Sequence, residues 1–499
     1  MTGTRLLKWV VGSLVLMQVL VALVKDSIDV GTFGYMGFGR LLWETGKFTY
    51  QDFYTYLPTI TPYVYHEWLS GLVLYLIYKS FGGVGLQVLR YFIGLSVIAL
   101  IYLTARKRGA DFFSTAIVLY VTSIFLALGF NAFRAPVFTY GLYAVTLYVL
   151  ESARLGGRSR GLWLLPPLMI IWANLHAGFL SGLGLIAIYA VGETLTRRLF
   201  WRYWAVLLLC ILASLLTPYF LDYWRYLAWA VPMPRPYINE WSSFLKVWRE
   251  NLVPHYALLH FAAIIILTAW LAVKARSKEI TPLLAMGLTL YMGLNHFRHI
   301  NFFMILTGAY TPVFLSAFGE SLKTMPSFQQ VASGLGRKIG VVVLACFLAF
   351  TGYRLVTGPF LLSLSIFPLP RAAKDAPGHY FPVGAVQYIR QNALSGKLLT
   401  EFGWGEFLEW NLYPQCRVAL DGRYETVYPE EVSEKYFDFI YGHPGGNRFL
   451  EEYPPDMILI DSRSALHASF KSEGQWREVY ADRGCALFLP RSRTVPESR

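Results

Sequence analysis

Charge is scarce in this chain. Of its 499 residues only 15% are Asp, Glu, Lys or Arg, while 55% are hydrophobic; a soluble chain carries about 25% charged residues. The deficit excludes an ordinary water-soluble enzyme, because the few charges are clustered and apolar runs of span length fill the gaps between clusters. Cysteine is scarcer still. Four are present, with no CxxC pair, which excludes a disulfide framework or a cysteine zinc site. Cys210 and Cys346 fall in apolar runs; Cys416 and Cys485 share the C-terminal region, where they either pair in an oxidising compartment or stay two buried thiols. Also lacking are a repeat of fixed period and the paired interrupted helices of an inverted-repeat transporter. The formal net charge of +13 does not point to nucleic acid, since the Lys and Arg residues lie between apolar runs, where they set membrane orientation.

What is abundant fits the same picture. Aromatics reach 17%, as expected when Trp and Tyr line both interfaces of many spans. Trp9 to Val24 follows Arg5 and Lys8 as in a signal peptide, but no small-residue cleavage site follows, so an uncleaved first span is expected. Five connections are basic: Arg106-Lys107-Arg108; Arg154, Arg158 and Arg160; Arg197, Arg198 and Arg202; Lys274, Arg276 and Lys278; Lys323, Arg337 and Lys338. The positive-inside rule puts them and the N-terminus in the cytoplasm. Glu67 to Lys79 is apolar but too short to span, and a crossing there would invert every later cluster; it is expected to lie as a short helix at the outer interface.

The spans are then 7–25, 86–105, 112–130, 136–152, 161–175, 177–194, 203–218, 256–274, 280–295, 301–318 and 338–356. The expected fold is an α-helical polytopic protein of the plasma (inner) membrane with about eleven transmembrane helices. Residues 1–358 form its membrane domain, with an outer loop 25–85 carrying interfacial helices; 359–499 form a small extracytoplasmic α/β domain. Within that domain the patterning predicts helices over 383–391, 405–412 and 429–440, and strands at 397–400, 417–420, 457–460 and 485–489. No nucleophile elbow, P-loop or metal spacing occurs there.

The first outer segment carries the most informative polar string: Asp26, Asp29-Val30-Gly31, Gly39-Arg40, Tyr50-Gln51-Asp52-Phe53 and His66-Glu67-Trp68-Leu69. A carboxylate just outside a first span can deprotonate an acceptor while a lipid-linked donor enters from the bilayer; alternatively, Asp26 and Asp29 solvate and cap a helix end. His176 falls at an outer turn, either packed among helices or facing substrate. Arg134, Arg225, Arg235 and Arg298 fall at outer span ends, as phosphate ligands or headgroup anchors, and His296, Arg298 and His299 cluster within four residues. Glu240 either binds an acceptor or closes a loop salt bridge.

These segments resemble the GT-C superfamily of integral-membrane glycosyltransferases, which includes protein O-mannosyltransferases, aminoarabinose transferases and many bacterial members. The resemblance extends to Trp172-Ala173-Asn174-Leu175-His176-Ala177-Gly178, Asn295-His296-Phe297-Arg298-His299, Trp404-Gly405 and Asp421-Gly422-Arg423-Tyr424. It implies an inverting transfer of a sugar from a polyprenyl-phosphate carrier to a lipid, glycan or protein acceptor on the outer face. The implied catalytic base is Asp29, with Asp26 as a neighbouring candidate. Arg298, His296, His299 and Arg134 are implied for the donor phosphate, and Asp52, His66, Glu67, His176 and Glu240 for the acceptor side. The Asp-Glu pair typical of O-mannosyltransferases is absent, since Val30 follows Asp29, which leaves transfer of mannose to protein unsupported. No cofactor is implied and no ligand spacing demands a metal, although a divalent ion between the histidines and Asp29 is an alternative. Two non-catalytic readings stand beside the enzyme: a cell-envelope polysaccharide assembly or binding protein, and a lipid-linked sugar transporter.

Overall fold

Among the described residues the apolar runs of span length form helices, because a backbone in hydrocarbon must satisfy its own hydrogen bonds. A computed structural model describes residues 3–23, 29–130, 133–156, 159–196, 200–275, 279–323, 337–357, 381–472 and 474–493. In chain order the helices are α1 (Gly3–Leu23), α2 (Val30–Thr45), α3 (Trp68–Lys107), α4 (Phe112–Gly129), α5 (Pro136–Gly156), α6 (Leu165–Leu175), α7 (Phe179–Leu195), α8 (Phe200–Ala213), α9 (Leu221–Ala230), α10 (Phe244–Arg249), α11 (His255–Lys274), α12 (Ile280–Asn295) and α13 (Ile300–Lys323), followed by the helix Arg337–Thr357. Each of the eleven expected spans overlaps a helical segment among the described residues, although that expected over 203–218 ends at Ala213. Among the described residues five helices are long and apolar enough to cross a membrane by length and composition alone. The expected break between residues 79 and 86 is a kink inside α3, where Gly82 takes φ 61° and ψ −154°, a conformation open essentially to glycine.

By compactness the residues form two units. The first comprises 1–25, 87–223 and 232–364; the second comprises 26–86, 224–231 and 365–499. Hydropathy alone draws the domain boundary at 358/359, whereas compactness groups the first outer segment with the C-terminal residues.

In the first unit a buried charge network ties together segments far apart in sequence. Arg108 meets Glu151 and Glu279 at 2.5 Å each, and Arg154 meets Glu193 and Glu279 at 2.7 Å each. Tyr310 donates to Glu151 at 3.2 Å and shares a 2.7 Å hydrogen bond with Tyr189. Glu151 is fully buried, so each carboxylate oxygen needs such a partner.

The second unit is built on a five-stranded sheet of order β2-β1-β3-β5-β4, with β1 Gly396–Thr400, β2 Cys416–Val418, β3 Met457–Asp461, β4 Trp476–Ala481 and β5 Cys485–Pro490. β1 pairs in parallel with both β2 and β3, and β5 pairs antiparallel with β3 and β4. The edge strand β4, with its adjacent charges Arg477 and Glu478, escapes the apolar patterning that marks the other four. Cys416 and Cys485 are both free and buried. They stand on strands with two others between them, and three inter-strand spacings make roughly 14 Å, beyond disulfide reach. The thiol alternative is therefore the one observed.

Part of the segment 29–86 is woven into this sheet. Thr55 forms a parallel bridge to Val418, Val418 N donates to the Tyr54 carbonyl at 2.9 Å, and Tyr56 N donates to the Val418 carbonyl at 3.1 Å. Residues 54–56 thus cover the exposed edge of β2. Phe33 of α2 packs edge-on against Phe381 and Phe407. α2 and α3 touch backbone to backbone: a Cβ on Gly39 would stand 2.2 Å from the Gly71 carbonyl oxygen. Gly39→Ala is therefore expected to cost about 1–3 kcal/mol. Gly287→Ala, whose Cβ meets nothing within 4 Å, should be neutral, and paired thermal melts check both.

Candidate functional site

Asp29 is the N-cap of α2. It has extended backbone (φ −80°, ψ 142°), its side chain accepts from Gly31 N at 2.9 Å, and its carbonyl accepts from Thr32 N. A carboxylate suits this position because the helix N-terminus presents unpaired N–H groups and a positive dipole end. The cap alternative raised by the sequence is therefore observed, and it holds the carboxylate in one orientation. Asp26 lies outside the described residues.

Further along the same unit, Tyr35 of α2 donates to Glu67 at 2.8 Å, and Glu67 stands 3.8 Å from His66 Nε2. The His66 ring lies 5.1 Å from that of Tyr226 at a 31° tilt. Both His66 and Glu67 keep partial exposure.

Asp52 has a different occupation. Its side chain is 1% exposed; Oδ1 accepts from Arg423 at 2.8 Å, and Oδ2 accepts from Tyr54 N and Thr55 N at 2.9 and 3.1 Å. Expected on the acceptor side, it is found committed to holding the loop that covers β2. Arg423 also grips Asp421 through Nε at 2.9 Å and Nη2 at 2.7 Å, and reaches Glu409 at 3.5 Å. Tyr428 donates to Asp421 at 2.9 Å. One buried guanidinium facing three carboxylates leaves negative charge in excess. Burial and the charge of Asp421 accordingly push the Glu409 carboxyl well up, while for Asp421 the Arg423 guanidinium and hydrogen bonds outweigh burial and hold it down. The Asp421-Gly422-Arg423-Tyr424 motif is thus a structural clasp, reaching Asp52 across 371 residues.

The first unit carries the remaining candidates. His176 caps the end of α6, where its Nδ1 accepts from Gly178 N at 2.8 Å and lies 2.9 Å from the Thr139 hydroxyl, which itself accepts from Trp172 Nε1 at 2.9 Å. A ring nitrogen that accepts from a backbone N–H carries no proton, so the imidazole proton sits on Nε2. Arg134 and Glu240, expected on opposite substrates, are brought together at 3.4 Å, both partly exposed.

The densest cationic gathering surrounds Trp241. The Arg235 and Arg298 guanidinium groups lie 4.1 and 4.5 Å from its ring centroid. His296 and His299 meet the ring edge-on at 5.3 and 5.7 Å, and His296 Nδ1 lies 2.8 Å from the Trp241 carbonyl. Phe297 N bonds the Ser242 carbonyl at 3.0 Å, fastening the turn after α12 to the loop that bears Trp241. Cation–π attraction favours each guanidinium on the indole, yet two cations on one ring repel, and an anion placed between them would relieve that repulsion. The sequence singles out His296, Arg298 and His299 but not Trp241 as their hub, because the two segments lie 55 residues apart. Among the described residues no three His, Cys, Asp or Glu side chains gather as metal ligands.

No protein-family profile matches the chain, and no curated protein matches it by sequence. Among solved structures it is similar to ArnT from Cupriavidus metallidurans. The crystal structure in the apo state aligns at 15% identity with a TM-score of 0.51, and that bound to undecaprenyl phosphate at 13% with a TM-score of 0.50; each alignment covers 98% of both chains. The chain therefore shares the fold of ArnT, a polytopic helical membrane architecture with a small C-terminal sheet region.

Proposed function

We propose that this chain is a membrane glycosyltransferase that moves a sugar from a polyprenyl-phosphate carrier to an acceptor on the non-cytoplasmic face. The observation that carries this reading is the likeness to ArnT, one structure of which is bound to undecaprenyl phosphate, along 98% of both chains. A shared helical bundle alone would not extend through the C-terminal region.

The chemistry follows from the residues. Asp29 accepts the proton of an acceptor hydroxyl as the acceptor oxygen bonds to the anomeric carbon. The bond from that carbon to the phosphate oxygen breaks on the opposite face, so configuration inverts. Polyprenyl phosphate departs as an anion, and what it needs is positive charge rather than a proton. Arg298 and Arg235, held on Trp241, supply planar donor pairs that match phosphate oxygens. His66 with Glu67 lines the acceptor side, and His176 belongs to the same substrate side. Asp52 takes no part, being committed to Arg423.

Arg298→Ala and Arg235→Ala are each expected to raise KM for the lipid donor about 10–100-fold, the value of a charge-assisted hydrogen bond. Arg298→Lys should fail to restore it, because an ammonium does not reproduce the guanidinium fork. Donor titrations in nanodiscs decide; unchanged KM in both alanine variants would remove the phosphate role from the Trp241 cluster.

A further inference from the structure

The C-terminal sheet holds a feature that the transfer reading leaves unused. The chain leaves β1 to form β2 on one side, then crosses to form β3 on the other, with both neighbours parallel to β1. The carboxyl ends of β1 and β3 therefore flank a topological switch point, where open α/β sheets bind ligands. Glu401 follows β1 directly, and Asp461 ends β3. An open cleft of about 510 Å³ lies there, lined by Glu401, Trp404, Tyr441, Asp461, Arg463 and Ser464, within the size range of small-molecule sites.

Its walls are organised. Glu401 accepts from Asp461 N at 3.3 Å, which joins the two strand ends. Asp461 grips Arg463 through Nε at 3.0 Å and Nη2 at 2.7 Å, yet the Arg463 side chain is 73% exposed, so donors remain available to a ligand. Tyr441 is 54% exposed and lies parallel to Phe437 (centroids 5.8 Å, interplanar 10°), which fixes the ring plane at the cleft. Nothing stands within 4 Å of a Cβ built on Gly403, so the floor is open. Burial holds Glu401 above the usual carboxyl range, with the Asp461 charge adding to it, while hydrogen bonding from Arg463 holds Asp461 below.

We propose that this cleft is a saccharide-binding subsite, taking a neutral or amino sugar with its apolar face against Tyr441 and its hydroxyls on Glu401, Asp461 and Arg463. A fixed aromatic plane beside closely grouped carboxyl and guanidinium groups matches a pyranose, which is apolar on one face and hydroxylated at its rim. Two carboxyl groups beside one arginine, itself paired with Asp461, disfavour an anionic ligand. The subsite stands apart from the catalytic reading and survives its failure.

Saturation-transfer NMR on the full-length protein in nanodiscs tests this, with N-acetylglucosamine, glucosamine and galactose as probes. Saturation of ring C–H protons of at least one sugar is expected, with affinity about tenfold weaker in Tyr441→Ala and unchanged in Asp29→Asn. Glu401→Gln, nearly isosteric, is expected to weaken the same sugar and reads the cleft should loss of the ring disturb the fold. No transfer to any of the three sugars would overturn the proposal. So would equal binding by wild type and both cleft variants.

Discussion

Asp29→Asn is expected to lower sugar transfer by about 10²–10⁴-fold, the usual contribution of a positioned general base, while the protein remains folded and still binds donor. The separation of the two effects comes from where Asp29 sits. As N-cap of α2 it accepts from Gly31 N at 2.9 Å, and asparagine caps a helix about as well as aspartate. The amide keeps the cap and loses the base. Asp29→Ala removes both, so it should show the same loss of transfer plus about 1 kcal/mol of lost stability. Single-turnover transfer and a thermal melt, run side by side, check this. Full activity in Asp29→Asn would reduce the residue to a cap and move the base elsewhere.

The second large effect is structural. Arg423→Met is expected to cost about 3–5 kcal/mol, because it leaves buried carboxylates without their cation. The loss should appear as failed expression or a steep drop in melting temperature. Glu409→Gln should behave oppositely. Glu409 has a folded-state pKa raised above its unfolded value of about 4.5, so its contribution to stability is complete below about pH 4.5 and declines as pH rises toward the folded value. Asp421, held down by Arg423, contributes stability above its unfolded pKa and loses it in acid. An amide at position 409 cannot ionise, so the variant should lose the alkaline decline and keep the acid one. Melts across pH read the two limbs separately. An unchanged decline above pH 4.5 in Glu409→Gln would mean that the raised Glu409 carboxyl does not shape that limb.

Much of this architecture is legible in the sequence, for physical reasons that differ by element. The spans announce themselves because hydrocarbon demands long apolar runs, whereas the short helix expected over 67–79 is continuous with the following one through a kink at Gly82. Four strands read as buried apolar segments, whereas β4 lies at the edge and carries two adjacent charges, Arg477 and Glu478, so patterning passes over it. Asp29 stands out as a carboxylate beyond a first span. What the sequence does not disclose is pairing at a distance. Arg423 and Asp52 are 371 residues apart, and neither reveals that the outer loop belongs with the C-terminal sheet. Arg134 and Glu240 each look like a substrate ligand until they are found facing each other at 3.4 Å. Trp241 gathers Arg235, Arg298 and two histidines, and no local pattern around a single tryptophan predicts such a role.

The central claim is that this chain cleaves a sugar from a polyprenyl-phosphate carrier. The most direct measurement is release of free undecaprenyl phosphate by the purified wild-type protein in nanodiscs, supplied with a panel of undecaprenyl-phosphate sugars and cell-envelope extract as acceptor. The account predicts that one donor is consumed, with one undecaprenyl phosphate freed for each sugar transferred. Intact donors across the whole panel, or donor moved across the bilayer without cleavage, would contradict it.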